Sequence, residues 1–390
     1  MDMRVCGGIS LAGLVEQADR VAAVVGRVRQ AMLAPEARKT APVFGLAQMM
    51  AMTGLEKRAL EYRIDKGHVP AGTVVGARRQ FTLTEAREAV RWARRSKLRP
   101  SGARALTVSV ANFKGGVAKT TTAVTLAQGL SLRGHRVLVV DTDPQGSLTT
   151  LFGILPDTDV TEAETIMPLC LGTKTSISYA VRRTYWDGID LVPAAPALFG
   201  AEFALAGRQA LGQGLEFWRV LDAGLDSERN NYDVIIVDTP PALGYVTINA
   251  LMSADGLLMP LPPSQLDFVS SGQFWRLFSD VALQVAGEAS AKAFAFIDVL
   301  PTRVDGSDVS ADTVRDWMRA AYGERLLPVE VPKSVAAAAS AIEFGSVYDG
   351  TGGAGRATHK RALDAFERVA EFVEDQAGAY WRAQIGGGVR

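Results

Sequence analysis

The segment that most constrains this chain is an apolar run, Leu106 to Ala111, passing directly into Asn112-Phe-Lys-Gly-Gly-Val-Ala-Lys-Thr-Thr121 and then into a helix-compatible stretch. A strand, a glycine-bearing loop and a helix, in that order, are the context a phosphate-binding loop requires. Gly115 and Gly116 let the backbone bend so that successive N–H groups converge on phosphate oxygens, with Val117, Ala118 and Thr121 completing the cradle. The N-terminus of the following helix adds its positive dipole end. Lys119 is placed to reach the outer phosphates of ATP or ADP, and Thr120 to give its hydroxyl to Mg2+. The loop is unusual, however. An ordinary pattern aligned on Lys119 puts glycines where Phe113 and Ala118 stand, and a second lysine, Lys114, precedes Lys119 by five residues.

From Ala105 onward, short β-branched runs alternate with helical stretches, which predicts an α/β fold: a doubly wound, mostly parallel P-loop NTPase sheet with helices on both faces. The expected strands are 106–111, 136–141, 188–192, 233–238, 256–261, 293–300 and 326–330. Two of them end in acids. Val139-Val-Asp141-Thr-Asp143-Pro-Gln-Gly-Ser147 closes the second, and Tyr232-Asp-Val-Ile-Ile-Val-Asp238-Thr-Pro-Pro closes the fourth. Ligands of open α/β sheets bind at such strand ends. A buried strand-end carboxylate loses solvation energy unless it meets a cation or hydrogen-bond donors. Asp238 is therefore the expected metal-side carboxylate, and the Pro-rich turn after it is a segment able to report on a terminal phosphate.

The first 104 residues have a different character. They carry 19 Lys+Arg against 9 Asp+Glu, a net of +10, whereas the remainder carries 23 against 33, a net of −10. A basic module fused to an acidic one suggests contact with nucleic acid. Leu11, Leu14, Ala18, Val21, Val25, Val28 and Met32 keep a 3-4-3-4 rhythm, the seam of a helix that packs on another helix, and 1–36 is read as a dimerisation helix. Residues 37–104 read as a small, mainly α, winged helix-turn-helix domain. Phe44 to Met52 form its first helix, and Thr53 and Glu56 have the spacing of a capping box opening the second. Gly67 ends that second helix, Val69 to Phe81 form a hairpin, and a basic helix runs from Thr84 to about Lys97, with a linker at 99–102. Lys57, Arg58, Tyr62, Arg63 and Lys66, with Arg78 and Arg79 of the wing, are the expected DNA contacts. Residues 105–390 form the third unit.

Lys114-Gly-Gly-Val-Ala-Lys-Thr-Thr, Asp141-Thr-Asp-Pro-Gln-Gly-Ser and Val237-Asp-Thr-Pro-Pro-Ala-Leu together resemble the deviant Walker A group, and within it the ParA partition ATPases, over roughly residues 105–375. The helix and winged helix-turn-helix of the first 104 residues resemble the larger plasmid ParA proteins and the related RepA partition proteins by pattern more than by motif. The resemblance implies that Lys114 reaches across a nucleotide-sandwich homodimer, that Asp143 positions the attacking water, and that Asp141 supports the metal side. It further implies an ATPase whose ATP-bound dimer binds DNA nonspecifically, a ParB-type centromere-binding partner, operator binding by the N-terminal domain, and a cytoplasmic, nucleoid-associated location. The alternative is a nucleotide-switched transcriptional regulator with incidental hydrolysis.

Two rival branches fit less well. An iron–sulfur reductase needs more than Cys6 and Cys170. A membrane-bound relative needs a basic amphipathic C-terminal helix, whereas the stretch after His359 carries five acids beside an apolar stripe at Leu363, Phe366, Val369, Phe372 and Val373, which reads as core. The basic residues Arg315, Arg319, Lys333, Arg356, Lys360, Arg361 and Arg368 are the candidates for nonspecific DNA contact in the otherwise acidic half.

Overall fold

The computed structural model describes residues 10–32, 39–211, 216–287, 292–306, 310–333, 346–349 and 356–386; Cys6 lies outside them. The chain divides into two compact units, 1–40 and 41–390. In the first, Leu11–Met32 is one 22-residue helix. Its seam faces outward: Leu11, Leu14, Val21 and Val25 are all exposed.

The second unit opens with a winged part. Strand β1 (Phe44–Gly45) precedes helices Leu46–Thr53 and Lys57–Asp65, then β2 (Thr73–Val75), β3 (Arg78–Phe81) and helix Leu83–Ala93. The three strands form an antiparallel sheet in the order β1-β3-β2. Met49, Leu60, Phe81, Leu83 and Ala86 form its core.

Two local expectations need correction. The first helix begins at Leu46, after β1, because the Gln48 side chain accepts from Gly45 N–H at 2.8 Å and fixes its start. No capping box forms from Thr53. That residue ends the first helix, donates its hydroxyl to Met49 O at 2.7 Å, and is followed by Gly54 in the left-handed region. The box in this part is instead Thr82 with Glu85, which opens the basic helix.

The main sheet contains β4 (Leu106–Val110), β5 (Val137–Asp141), β6 (Arg182–Arg183), β7 (Ile189–Val192), β8 (Val234–Asp238), β9 (Gly256–Leu261) and β10 (Phe296–Pro301). Their order is β10-β9-β4-β8-β5-β7-β6, parallel except for the short β6 at one edge. Strands β4, β5, β8 and β9 are buried along their whole length, as near-continuous apolar runs require. The expected strand at 326–330 is not formed. Leu326 makes an isolated bridge to Val299, and Leu327 N–H and Val331 N–H donate to Val299 O and Pro301 O at 2.9 and 2.8 Å, so four residues here span two of β10 and the ladder loses register.

Helix Lys119–Leu132, which follows the loop, is buried on nearly every side. The long C-terminal helix Arg356–Gly386 lies against it and buries Phe366, Val369, Val373 and Trp381, so the expected apolar stripe is core. No helix among the described residues is long and apolar enough to cross a membrane.

The winged part is tied to the α/β part by arginines on one face of helix Leu83–Ala93 and its C-cap. Arg87 Nε donates to Ser131 O at 3.0 Å and its Nη2 to His135 O at 2.9 Å, while Nη1 pairs with Asp187. Arg91 donates to Gly134 O, and Arg94 to Arg133 O at 3.3 Å and Glu374 at 2.7 Å. All these carbonyls cluster at the C-terminal end of the loop helix, where cations are favoured by unsatisfied C=O groups and by the helix dipole. Arg99, in the stretch read as a linker, pairs with buried Asp233 at 3.1 Å. Four of the arginines behind the basic excess of the first 104 residues are thus engaged with the α/β part.

Arg87→Ala strands the His135 carbonyl, since Ser131 O keeps its bond from Gly134 N–H at 2.9 Å, and breaks the Asp187 ion pair; it is expected to cost about 1–3 kcal/mol in chemical denaturation. Gly188→Ala tests the same contact from the other side. Its Cβ would lie 1.9 Å from the Arg87 Cζ, at a backbone φ of +80°. Wild-type stability in both variants would contradict the anchoring role.

Candidate nucleotide-binding site

Register brings the site together. Val110 of β4 pairs with Asp238 of β8, and Asp238 pairs with Asp141 of β5, so the loop strand and the two acidic strand ends stand side by side. The loop leaves β4 through Asn112, whose Nδ2 donates to Pro260 O at 2.9 Å and whose Oδ1 accepts from Lys114 N–H at 3.1 Å. Phe113 sets its ring against Phe274 with centroids 4.5 Å apart. An aromatic anchor therefore occupies the position of the missing first glycine. At the second, Ala118 still takes the conformation glycine prefers, with φ of +75°. Gly116 also lies in the left-handed region, at φ +74°, whereas Gly115 does not, so the expected bend falls on Gly116 and Ala118.

Helix Lys119–Leu132 starts with no side-chain cap and no acid in its first turn, leaving its N-terminal N–H groups to an anion. Lys119 is buried and folds across the loop, donating Nζ to Lys114 O at 2.9 Å. Burial lowers its pKa, and Asp238 and Asp143 act against that shift. Lys114 is held within its own chain by Asp267, at 2.8 Å. Asp267 opens helix Gln265–Ala286 beside the N-cap Ser264. Thr120 and Thr121 lie half-buried at the first turn.

The acids differ in their surroundings. Asp141 is fully buried but well supplied with donors: Thr149 N–H at 2.9 Å, Thr149 Oγ1 at 2.7 Å and Asp143 N–H at 3.2 Å. Burial still dominates and raises its pKa to about 7. Asp143 is half-exposed, and its Oδ1 accepts from Gln145 N–H at 3.0 Å. Asp238 is fully buried, and neither carboxylate oxygen has a hydrogen-bond partner. Burial first, and then the Asp141 charge, push its pKa well above the carboxylate range, while the Thr120 hydroxyl and Lys119 ammonium pull it down. Among the described residues no group of three or more His, Cys, Asp and Glu could hold a metal by itself. Mg2+ asks for less, since one or two protein ligands, phosphate oxygens and water suffice. Two orphaned oxygens beside Thr120 and Lys119 fit that donor set.

Sequence reasoning passed over Asp267, Thr302 and Arg303, all of which touch the loop, and gave Asn112, its first residue, no role of its own. The expected DNA contacts are spread over the helix Lys57–Asp65 and the wing. Arg58, Tyr62 and Arg78 are exposed. Lys57 pairs with Glu61 at 3.9 Å, Lys66 lies over the Tyr62 ring, Arg63 lies over Trp92, and Arg79 donates to Ala71 O. In the α/β part Arg315, Arg319 and Lys333 are paired with acids, whereas Lys360, Arg361 and Arg368 are exposed; the Arg356 side chain lies outside the described residues.

Asp238→Asn removes an ionisable group whose burial outweighs the nearby Thr120 hydroxyl and Lys119 ammonium, and is expected to stabilise the nucleotide-free protein by about 1–3 kcal/mol at pH 8. Because the folded-state pKa of Asp238 is raised, wild-type stability falls as pH rises above the ordinary carboxylate range. The gain from Asp238→Asn should therefore fade as pH is lowered. Asp141→Asn should instead destabilise, since an amide N–H2 there must face donors on either side. Thermal melts across pH check both, and equal effects at the two positions would refute this account of the acids.

A family model described as an AAA domain matches residues 105–288. A Sinorhizobium fredii protein provisionally named replication protein A is 29% identical over 388 residues, covering 95% of each chain. The chromosome-partitioning ATPase Soj of Thermus thermophilus is 33% identical over 267 residues, covering 68% of this chain and 94% of that protein. Among solved structures, cobyrinic acid a,c-diamide synthase from Mycobacterium smegmatis with bound ADP and magnesium superposes with a TM-score of 0.54 at 28% identity, covering 73% of this chain and 96% of that one. With the loop, its two lysines and the paired strand-end acids in place, this chain belongs to the ParA-type partition ATPases of the deviant Walker A group.

Proposed function

We propose that the chain is an ATP-dependent DNA-partition protein. Its ATP-bound homodimer holds DNA without sequence preference, and hydrolysis stimulated by a ParB-type centromere-binding protein releases it. The observation that carries this reading is the orphaned, fully buried Asp238 carboxylate beside an uncapped helix N-terminus and Lys119, a site that gains by receiving a cation and a polyphosphate together. The ADP and magnesium in the Mycobacterium smegmatis structure and the partition role of Soj support it.

In this reading the N–H groups from Gly115 to Thr121 bind the phosphates and Lys119 exchanges the Lys114 carbonyl for phosphate oxygens. Thr120 and Asp238 hold Mg2+, which when bound neutralises phosphate charge, and Asp141 orders the segment around Asp143 through its bonds to Thr149 and the Asp143 N–H. Asp143, half-exposed and poised on the next turn, orients the attacking water. Lys114 leaves Asp267 to reach the partner subunit's nucleotide, so dimerisation exchanges one ion pair for another. Helix Leu11–Met32, with its outward seam, supplies a second self-association surface for the domain at 1–36. The domain at 37–104 binds operator DNA through Lys57, Arg58, Tyr62, Arg63, Lys66, Arg78 and Arg79 for autorepression, and the ATPase domain occupies 105–390. The protein works in the cytoplasm, on the nucleoid.

A second reading, a nucleotide-switched transcriptional regulator, is favoured by one observation: the winged part docks directly on the loop helix through Arg87, Arg91 and Arg94. Phosphate release by the full chain, with and without DNA and the cognate centromere-binding protein, separates the two. Partition predicts slow basal turnover that rises about tenfold or more when both are present, and loss of about 100-fold or more in Asp143→Ala with ATP binding retained. Turnover indifferent to both additions, alongside nucleotide-dependent operator binding, would favour the regulator.

A further inference from the structure

Two consecutive carbonyls of the phosphate-binding loop are held from outside by the residues that follow β10. Thr302 Oγ1 donates to Val117 O at 3.0 Å, and Arg303 Nη1 donates to Gly116 O. A peptide unit is planar and trans, so its carbonyl and its N–H point in opposite directions. Holding the Gly116 carbonyl outward therefore aims the Val117 N–H inward, and holding the Val117 carbonyl does the same for Ala118. These are two of the N–H groups that make the cradle. The stretch has reason to need such support, since Gly116 and Ala118 both take left-handed backbone and only one of them is glycine.

Arg303 itself has a φ of +53°, uncommon for a long side chain. Its neighbours enforce that conformation. Thr302 N–H donates to Leu261 O at 3.1 Å, Val304 N–H to Val331 O at 3.0 Å, and Val304 O accepts from Lys333 N–H at 2.8 Å. Thr302 and Val304 are buried, whereas the Arg303 side chain is exposed, so no core packing requires an arginine there. Backbone held in a sparsely populated region by over-determined neighbours is a recurrent feature of functional sites. Here it delivers a guanidinium to the rim of the loop.

We propose that Thr302 and Arg303 are positioning residues that preorganise the phosphate cradle for nucleoside di- and triphosphates. The inference rests on the reading of this site as nucleotide-binding. The test uses the full chain, a fluorescent ATP or ADP analogue with Mg2+, and the melting temperature without nucleotide. Thr302→Val keeps the shape and removes the donor, while Arg303→Gly removes the guanidinium and accepts the positive φ without strain. Each should weaken both nucleotides about tenfold. Arg303→Lys should recover most of the loss, and Arg303→Gly should melt no lower than wild type. Affinities within twofold of wild type in both variants would overturn the proposal, as would a lowered Arg303→Gly melting temperature with no rescue by lysine, the mark of a merely structural residue. Wild-type protein that fails to bind either analogue would overturn the reading of the site itself, and this inference with it.

Discussion

Two carboxylates on neighbouring strands, Asp141 and Asp238, are register partners in a place that water does not reach, and the rest of the molecule is arranged around that placement. Like charges at adjacent register positions oppose each other's ionisation, and burial opposes both. Asp141 accepts bonds from Thr149 and the Asp143 N–H, whereas Asp238 has only the Lys119 charge and the Thr120 hydroxyl to act against its burial. The less compensated acid is the one flanked by the loop strand. Its position in the sheet, between β4 and β5, puts it beside Lys119 and the open N-terminus of the loop helix. A fold that buries such a group gives up stability that a bound cation restores, which links cation binding to folding free energy.

The loop helix connects this site to the N-terminal part. Its uncapped N-terminus opens beside Asp238, and the carbonyls at its C-terminal end receive Arg87, Arg91 and Arg94. The same arginines revise the meaning of the charge asymmetry. A net charge counted along the sequence gives the supply of cations but not the direction they face. Arg58 and Arg78 point to solvent, whereas Arg87 and Arg99 lie within the protein and neutralise acids or cap carbonyls.

The parallel sheet, six of its strands, the loop and both acidic strand ends were legible in the sequence, because apolar runs of strand length punctuated by glycine, proline and acid carry that information locally. The helices and the hairpin between residues 46 and 93 were legible in outline for the same reason. What escaped depended on distant residues or on competing local bonds. The apparent capping box at Thr53 failed because the hydroxyl found the Met49 carbonyl of the preceding helix, one turn back. The stretch at 326–330 had a strand's composition, but it carries two residues too many between its bonds to Val299 O and Pro301 O to continue the ladder. Asp267, Thr302 and Arg303 lie far along the chain from the loop they hold, and a left-handed arginine leaves no trace in a residue pattern. The replaced glycines were visible, but their consequences were not: one became an aromatic anchor and the other kept the glycine conformation.

The most direct test of the central claim is the affinity of the full wild-type chain for ATP, measured by calorimetry with saturating Mg2+ and again with the metal chelated. If the orphaned Asp238 carboxylate is what the site holds ready for a cation, Mg2+ should tighten ATP binding by about tenfold or more. Equal affinity under the two conditions would contradict it.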